Sequence, residues 1–246
     1  MFSPLLEPTI VFLLLCGWTW ALCSVLARGE SYGWLLAILF VPPVGLPLYA
    51  ANRLSGGIID RKFESIRNRE RIVELESLVE SDPTFDRRTE LANLLHREGR
   101  HRDALVQLDA AMQVDEDDRR VQYLAAKALV GLGRGDAAIP HLEFVLRIDP
   151  SYDFGHAVLE LARLHRAAGQ PAAALPWLES SYRRQPLPRV AVALAELLDE
   201  AGRRPDAVAT LRHLLQLADG GSLPLRDKRE RQALSAARAL LALWKA

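Results

Sequence analysis

The sequence predicts an all-α protein in two parts, a two-helix transmembrane hairpin and an α-solenoid of repeated helix pairs that ends in a capping helix. Three observations support this fold class. Residues 8–27 and 34–53 are long apolar runs. Charged residues are concentrated after residue 53. A glycine and an alanine, five residues apart, recur at a spacing of about 34 residues from residue 99 onward.

The overall charge balance conceals this division. The 246 residues include 31 Lys and Arg against 31 Asp and Glu, yet Arg28 and Glu30 are the only charged residues in 8–51. Acidic residues interrupt the basic runs 61–71 and 226–231, so we expect no nucleic-acid partner. Cys16 and Cys23 both lie in the first apolar run. The remainder therefore has neither a disulfide framework nor a thiolate metal site.

The first apolar run is long enough to cross a membrane. Residues 8–27 carry no charge, and at about 1.5 Å per residue they span a hydrocarbon core of about 30 Å. Residues 1–7 lack the basic residues of a signal peptide, so we expect the segment to stay attached. The short link 28–32 permits only an antiparallel return. In the second run we expect a bend near Pro42 and Pro43, which cannot donate backbone hydrogen bonds.

Four residues of the second run carry a family resemblance. Trp34, Pro42, Gly45 and Tyr49, closely followed by a basic residue, resemble the two-helix N-terminal segment of phospholipase D-type cardiolipin synthases. The resemblance implies a membrane hairpin over 1–53. It does not extend to that family's chemistry, because none of the six histidines is followed by Lys two residues on. Cations are more numerous after the second run than in the turn, so we expect both termini in the cytoplasm.

The recurring glycines and alanines predict pairs of helices. Each glycine follows apolar residues at helical spacing and therefore ends a first helix, because glycine readily adopts the left-handed conformation. Each alanine lies where the second helix crosses the first and only a small side chain fits. A leucine four residues later fills the space beside the crossing. The positions are Gly99, Gly133, Gly169 and Gly202; Ala104, Ala138, Ala174 and Ala207; and Leu108, Leu142, Leu178 and Leu211.

This pattern resembles the tetratricopeptide repeat (TPR). The resemblance implies four helix pairs over 84–219, preceded by a linker and half-repeat helix over 54–83, with the helix itself from residue 61 to 81. A capping helix follows within 220–246, over 225–245. Pro140 and Pro176 depart from the family pattern. We expect both in the first turn of a second helix, where proline is tolerated.

The resemblance also implies a concave groove lined by the first helices. The middle of the expected groove is basic, which predicts a protein or peptide partner with acidic residues that flank an apolar anchor. The alternative is that these cations only solvate the surface. The side chains expected in the groove are Asn93, Arg120, Tyr123, Lys127, Leu159, Arg163, Arg166 and Glu196, together with His96 and Arg189.

The function expected from the sequence is that of a membrane-anchored scaffold or adaptor without catalytic activity, in the bacterial inner membrane, with its repeats in the cytoplasm. The alternative is an accessory subunit of a membrane lipid-metabolism or envelope-biogenesis enzyme that is recognised through the hairpin. We predict no catalytic residues, no metal and no cofactor. His96, His101 and His141 lack a metal-ligand spacing on one helical face, and no glycine-rich phosphate loop is present. The oligomeric state stays open.

Overall fold

The computed structural model describes Thr19, Val25 and residues 47–52, 58–221, 223 and 228–244. Most of the predicted hairpin, including Trp34, Pro42 and Gly45, lies outside the described residues. Tyr49 lies in the helical stretch 47–52 and is buried. Within the described residues, no helix combines the length and the apolar character that crossing a membrane requires.

Every regular element in the described part is helical, which confirms the all-α prediction there. Two short 3-10 turns span Tyr152–Gly155 and Pro171–Ala174. The α-helices are α1 (Ile58–Ser81), α2 (Phe85–Arg97), α3 (His101–Met112), α4 (Arg119–Gly131), α5 (Gly135–Ile148), α6 (His156–Ala167), α7 (Leu175–Arg184), α8 (Pro188–Glu200), α9 (Arg204–Asp219) and α10 (Lys228–Trp244).

The chain divides into two compact units, Met1–Arg71 and Ile72–Ala246. In the first unit, the side-chain amide of the buried Asn52 donates a hydrogen bond to Asp60 at 2.7 Å. In the second unit, consecutive helices from α2 to α9 contact one another, and α10 packs on α8 and α9. The second unit is thus a TPR-like solenoid closed by a final helix.

Small and large side chains alternate at the crossings inside each helix pair. All four recurring alanines are fully buried, and the four leucines one turn later are at most 1% exposed. A larger side chain at the alanine positions would overlap the first helix, whereas the leucines fill the space that opens beside it. The members of the two sets are Ala104, Ala138, Ala174 and Ala207, and Leu108, Leu142, Leu178 and Leu211.

The first helix of each pair ends at its glycine. Gly99 has a φ of 81°, and the amide of Arg100 donates to the carbonyl of Leu95 at 2.8 Å. This hydrogen bond satisfies a carbonyl that the last helical turn leaves free. The same arrangement recurs at Gly133, Gly169 and Gly202.

One of the two prolines in the second helices differs from the prediction in position. Pro176 lies in the first turn of α7, as predicted, directly after a separate 3-10 turn. Pro140 is the sixth residue of α5 and therefore lies beyond the first turn. It removes the hydrogen bond that its amide would have given to Asp136, one turn earlier.

A helix lies at each end of the solenoid. Helix α1 spans Ile58–Ser81 and so includes three residues before the expected start at residue 61. Helix α10 spans Lys228–Trp244, and residues 225–227 and 245 of the expected capping helix lie outside the described residues. Leu75 of α1 and Leu234 and Leu241 of α10 are buried against neighbouring helices, so each terminal helix covers apolar surface of the repeats.

Candidate partner-binding groove

A groove of about 660 Å³ lies across α2 and α4. The residues that line it are spaced i, i+3, i+4 and i+7 on both helices, which places each set on one helical face. Corresponding positions differ by 34 residues, so the groove repeats the period of the sequence. The lining consists of Asp86, Thr89, Glu90 and Asn93 from α2; Arg120, Tyr123, Leu124 and Lys127 from α4; and Tyr152 and Asp153 from the turn before α6.

Local hydrogen bonds fix the start of α4 at the groove. The Asp118 carboxylate accepts hydrogen bonds from the backbone amides of Arg120 and Val121, at 2.8 and 3.0 Å. This N-cap satisfies two amides that have no intrahelical partner. It thereby sets where α4 begins and which of its side chains face the groove.

Two tyrosines and an aspartate form one wall of the groove. The rings of Tyr123 and Tyr152 meet edge to face with centroids 5.0 Å apart. The Tyr123 hydroxyl donates a hydrogen bond of 2.7 Å to the Asp153 carboxylate. Burial, followed by the interaction with Asp153, raises the pKa of Tyr123 well above its usual value. Tyr123 therefore stays a neutral hydrogen-bond donor at physiological pH.

The turn that supplies Asp153 has a strained backbone. Asp153 and the next residue, Phe154, have φ angles of 52° and 51°. For residues with a Cβ this left-handed conformation costs about 1–2 kcal/mol each. Phe154 is 56% exposed. Strain of this kind persists where surrounding contacts hold it, and here the Tyr123 hydroxyl holds the carboxylate of the strained Asp153.

The two cations of the lining differ in their partners. The Arg120 guanidinium lies 3.5 Å from both Asp86 and Asp118 and 6.0 Å from the Phe85 ring. The Lys127 ammonium lies 5.4 Å from the centroid of the Tyr123 ring and makes no ion pair with the described residues. Lys127 is thus the cation that the groove offers to a ligand.

The groove is not basic, contrary to what the sequence suggested. Its lining contains the carboxylates of Asp86, Glu90 and Asp153 against two cations, Arg120 and Lys127. The predicted set follows the register of the first helices but contains only one acidic residue, Glu196. Asp86 lies 34 residues before Arg120 and could have been found from that period, whereas Asp153 lies in a turn that the period does not cover.

The groove brings four of the predicted residues together: Asn93, Arg120, Tyr123 and Lys127. The other predicted residues lie outside its lining. Leu159 packs partly buried against the core, and Glu196 is half-buried on α8.

The predicted arginines of the later repeats form internal ion pairs. Arg163 pairs with Glu160 at 2.6 Å, and Arg166 pairs with Glu200 at 2.8 Å. Arg189 pairs at 2.7 Å with Glu230, which is only 4% exposed. These charges are already matched within the chain. Arg163 pairs with a neighbour on its own helix, whereas Arg166 and Arg189 pair with residues that are distant in sequence but close in the solenoid.

His96 and His101 face each other across the turn between α2 and α3. Their Nδ1 atoms are 3.1 Å apart. Burial, then the charge of Lys127, then His101 lower the pKa of His96 to about 4. No group of three or more potential metal ligands exists among the described residues.

Comparisons with known proteins bear on the fold. No protein-family model matches the sequence, and no curated protein does. The chain is similar to a crystal structure of MamA at 17% identity, over 70% of this chain and 95% of that one, with a TM-score of 0.55. MamA from Desulfovibrio magneticus RS-1 aligns at 14% identity over 68% of this chain and 95% of its own, with a TM-score of 0.53. At such identities the likeness concerns the fold alone, and it supports the TPR-like solenoid.

Proposed function

We propose that this protein is a non-catalytic adaptor that holds a partner protein in the groove across α2 and α4. The observation that carries the proposal is the combination, in one groove, of an ammonium group that has no ion-pair partner in the described part of the chain and two partly buried aromatic rings. Tyrosine and a free cation give both apolar contact area and charge-assisted hydrogen bonds to a peptide.

The lining offers donors and acceptors for binding. It contains three carboxylates, two cations and an amide, groups that can make charge-assisted hydrogen bonds to a peptide. Its most perturbed group, Tyr123, has a raised pKa and holds its proton. A group of this kind donates a hydrogen bond but does not abstract a proton at neutral pH.

Site-specific photo-crosslinking in cells tests the adaptor role. A photoreactive phenylalanine analogue in place of Tyr123 should capture a discrete protein. The same analogue at Val106, which is 63% exposed on α3, serves as the control and should not capture it. Capture at both positions, or at neither, would contradict binding in the groove.

We further propose that the N-terminal segment anchors the adaptor in the bacterial inner membrane, with the repeats in the cytoplasm. The support is the uncharged run 8–27 and the apolar run 34–53 that follows it. Full-length protein should sediment with membranes and require detergent for release. Recovery in the supernatant after ultracentrifugation without detergent would contradict an anchor.

The uncharged segment also favours the alternative, an accessory subunit that an envelope or lipid enzyme recognises through the hairpin. The two functions can be separated with a fragment that contains residues 61–246. Recovery of the partner by this fragment favours the groove, whereas a need for residues 1–60 favours the hairpin.

A further inference from the structure

The charged groups of the groove are sorted along the axes of α2 and α4. At the start of α2 and α4 lie the carboxylates of Asp86 and Asp118. Glu90, one turn further along α2, and Asp153, in the turn before α6, also line the groove, and we call these four carboxylates the acidic end. Two helical turns further on lie Asn93 and Lys127, which we call the donor end. A ligand that lies along these helices therefore meets opposite charges at its two ends.

The donor end offers hydrogen bonds that the described residues do not use. The Lys127 ammonium makes a cation–π contact with Tyr123 but no ion pair, and the Asn93 amide has no hydrogen-bond partner among the described residues. Both side chains are half-buried in the groove lining. A carboxylate can accept hydrogen bonds from both, and the ammonium makes that interaction charge-assisted.

The acidic end has more negative than positive charge. The guanidinium of Arg120 is shared between Asp86 and Asp118, each 3.5 Å away. Asp153 accepts a hydrogen bond from Tyr123, but a neutral phenol leaves the charge of the carboxylate in place. Arg119 adds a second cation close to Tyr152, and Glu90 adds a further carboxylate to the lining. A cationic side chain of a ligand is favoured here.

The two ends are separated by a distance that a short peptide can span. Asp86 and Asn93, like Arg120 and Lys127, are seven residues apart on a helix, which corresponds to about 10 Å along the axis. A peptide in the extended polyproline II conformation advances about 3.1 Å per residue with three residues per turn, so side chains three positions apart lie on the same side and about 9 Å apart.

Building on the adaptor function proposed above, we propose that the groove recognises an extended segment of its partner that carries an acidic and a basic side chain three residues apart. The acidic side chain binds Lys127 and Asn93, and the basic one binds at the acidic end. This differs from the peptide that the sequence predicts, in which acidic residues flank an apolar anchor, because a second acidic side chain would face the carboxylates of Asp86 and Asp153.

Fluorescence polarisation with the full-length chain in detergent tests the proposal. The probes are four fluorescein-labelled, capped peptides on one Ala/Leu/Ser background, with Glu-x-x-Lys, Lys-x-x-Glu, Glu-x-x-Glu or Lys-x-x-Lys. We expect one of the two mixed peptides to bind about tenfold more tightly than either like-charged peptide. The preferred mixed peptide will also give the direction of the segment in the groove.

A charge reversal at the donor end provides a second test of the proposal. K127E should weaken binding of the preferred mixed peptide about tenfold and make Lys-x-x-Lys the tightest of the four. The matched control is K228E, at an exposed lysine on α10. It should leave the order of the four peptide affinities unchanged. Thermal unfolding followed by circular dichroism will establish that both variants are folded.

The proposal is overturned if Glu-x-x-Glu binds as tightly as the preferred mixed peptide, if K127E leaves the order unchanged, or if none of the four peptides binds. These outcomes are distinct from failure of the adaptor function. If a cellular protein is captured at position 123 but the affinities of the four peptides do not depend on their charge pattern, this recognition pattern is rejected and the adaptor function is retained.

Discussion

At Gly155 the chain enters α6 beside the start of α8. The residue has a φ of 77°, and an added Cβ would lie 2.8 Å from Cγ2 of Val190 and 3.1 Å from Cδ1 of Leu187. Both the backbone conformation and the close approach of neighbouring side chains therefore require glycine. Gly169 has a similar φ of 72°, but a Cβ there would meet nothing within 4 Å.

The two glycines allow the steric effect to be separated from the backbone effect. We expect Gly155→Ala to lower the free energy of unfolding by about 2–4 kcal/mol, because left-handed strain and overpacking both contribute. Gly169→Ala should cost only about 1 kcal/mol, from the backbone alone. Urea denaturation of both variants provides the measurement. If both variants lose the same free energy of unfolding, Val190 and Leu187 can move away from the added Cβ without loss of stability.

A second prediction concerns His96 and the dependence of folding stability on pH. Its pKa is lowered from 6.5 to about 4, chiefly by burial and then by the charge of Lys127. Between these two pH values the unfolded chain binds the proton more readily than the folded chain, so stability falls as the pH drops from 6.5 toward 4. NMR titration should find His96 neutral at pH 6, with an upward shift of its pKa in Lys127→Met. A His96 pKa near 6.5 in the unaltered protein would contradict this account.

Among the helices, α8 and α10 are joined by a buried ion pair. The Nε of Arg189 donates to Glu230 at 2.7 Å, and His156 lies 3.3 Å from the same guanidinium. The exposed side-chain fractions of Arg189 and Glu230 are 17% and 6%. Removal of one partner leaves the other charge without compensation in a region that water barely reaches.

We therefore expect Glu230→Gln to lower the free energy of unfolding by about 3–5 kcal/mol. The matched control is Glu179→Gln, which removes an exposed partner of Arg203 at 3.4 Å and should cost less than about 1 kcal/mol. Urea denaturation compares the two variants. A double replacement by apolar residues, Arg189→Met with Glu230→Leu, should recover much of the loss. If both single variants cost the same, the buried pair does not hold α10 in place.

The helices were easier to predict than the groove, for a physical reason. Ala104, Leu108 and their equivalents are fixed by helix crossing, which recurs in every pair and leaves a period in the sequence. The same period relates Asn93 to Lys127. Whether a cation is free depends on its three-dimensional neighbours: Arg166 meets Glu200, 34 residues away, and Arg189 meets Glu230, 41 residues away. The strained turn at Asp153 has no counterpart in the period.

Among the described residues of the second unit, the apolar core consists of two clusters arranged along the chain. The first extends from Ile72 to Ala128 and joins α1 to α4. The second extends from Ala126 to Leu241 and joins α4 to α10. In a solenoid each helix pair is stabilised mainly by its neighbours, so damage at one end weakens the nearest repeats most.

Deletion of α10 tests this arrangement. A chain that ends at residue 221 loses Leu234, Ala237 and Leu241, which are buried in the second cluster, and leaves Arg189 without Glu230. We expect hydrogen exchange, followed by mass spectrometry, to accelerate about tenfold or more in α8 and α9. Exchange in α2 and α3 should stay close to that of the intact chain, because their contacts lie in the first cluster. Equal acceleration in all four helices would indicate that the repeats unfold as one cooperative body, in which case α10 would also support the groove across α2 and α4 from a distance.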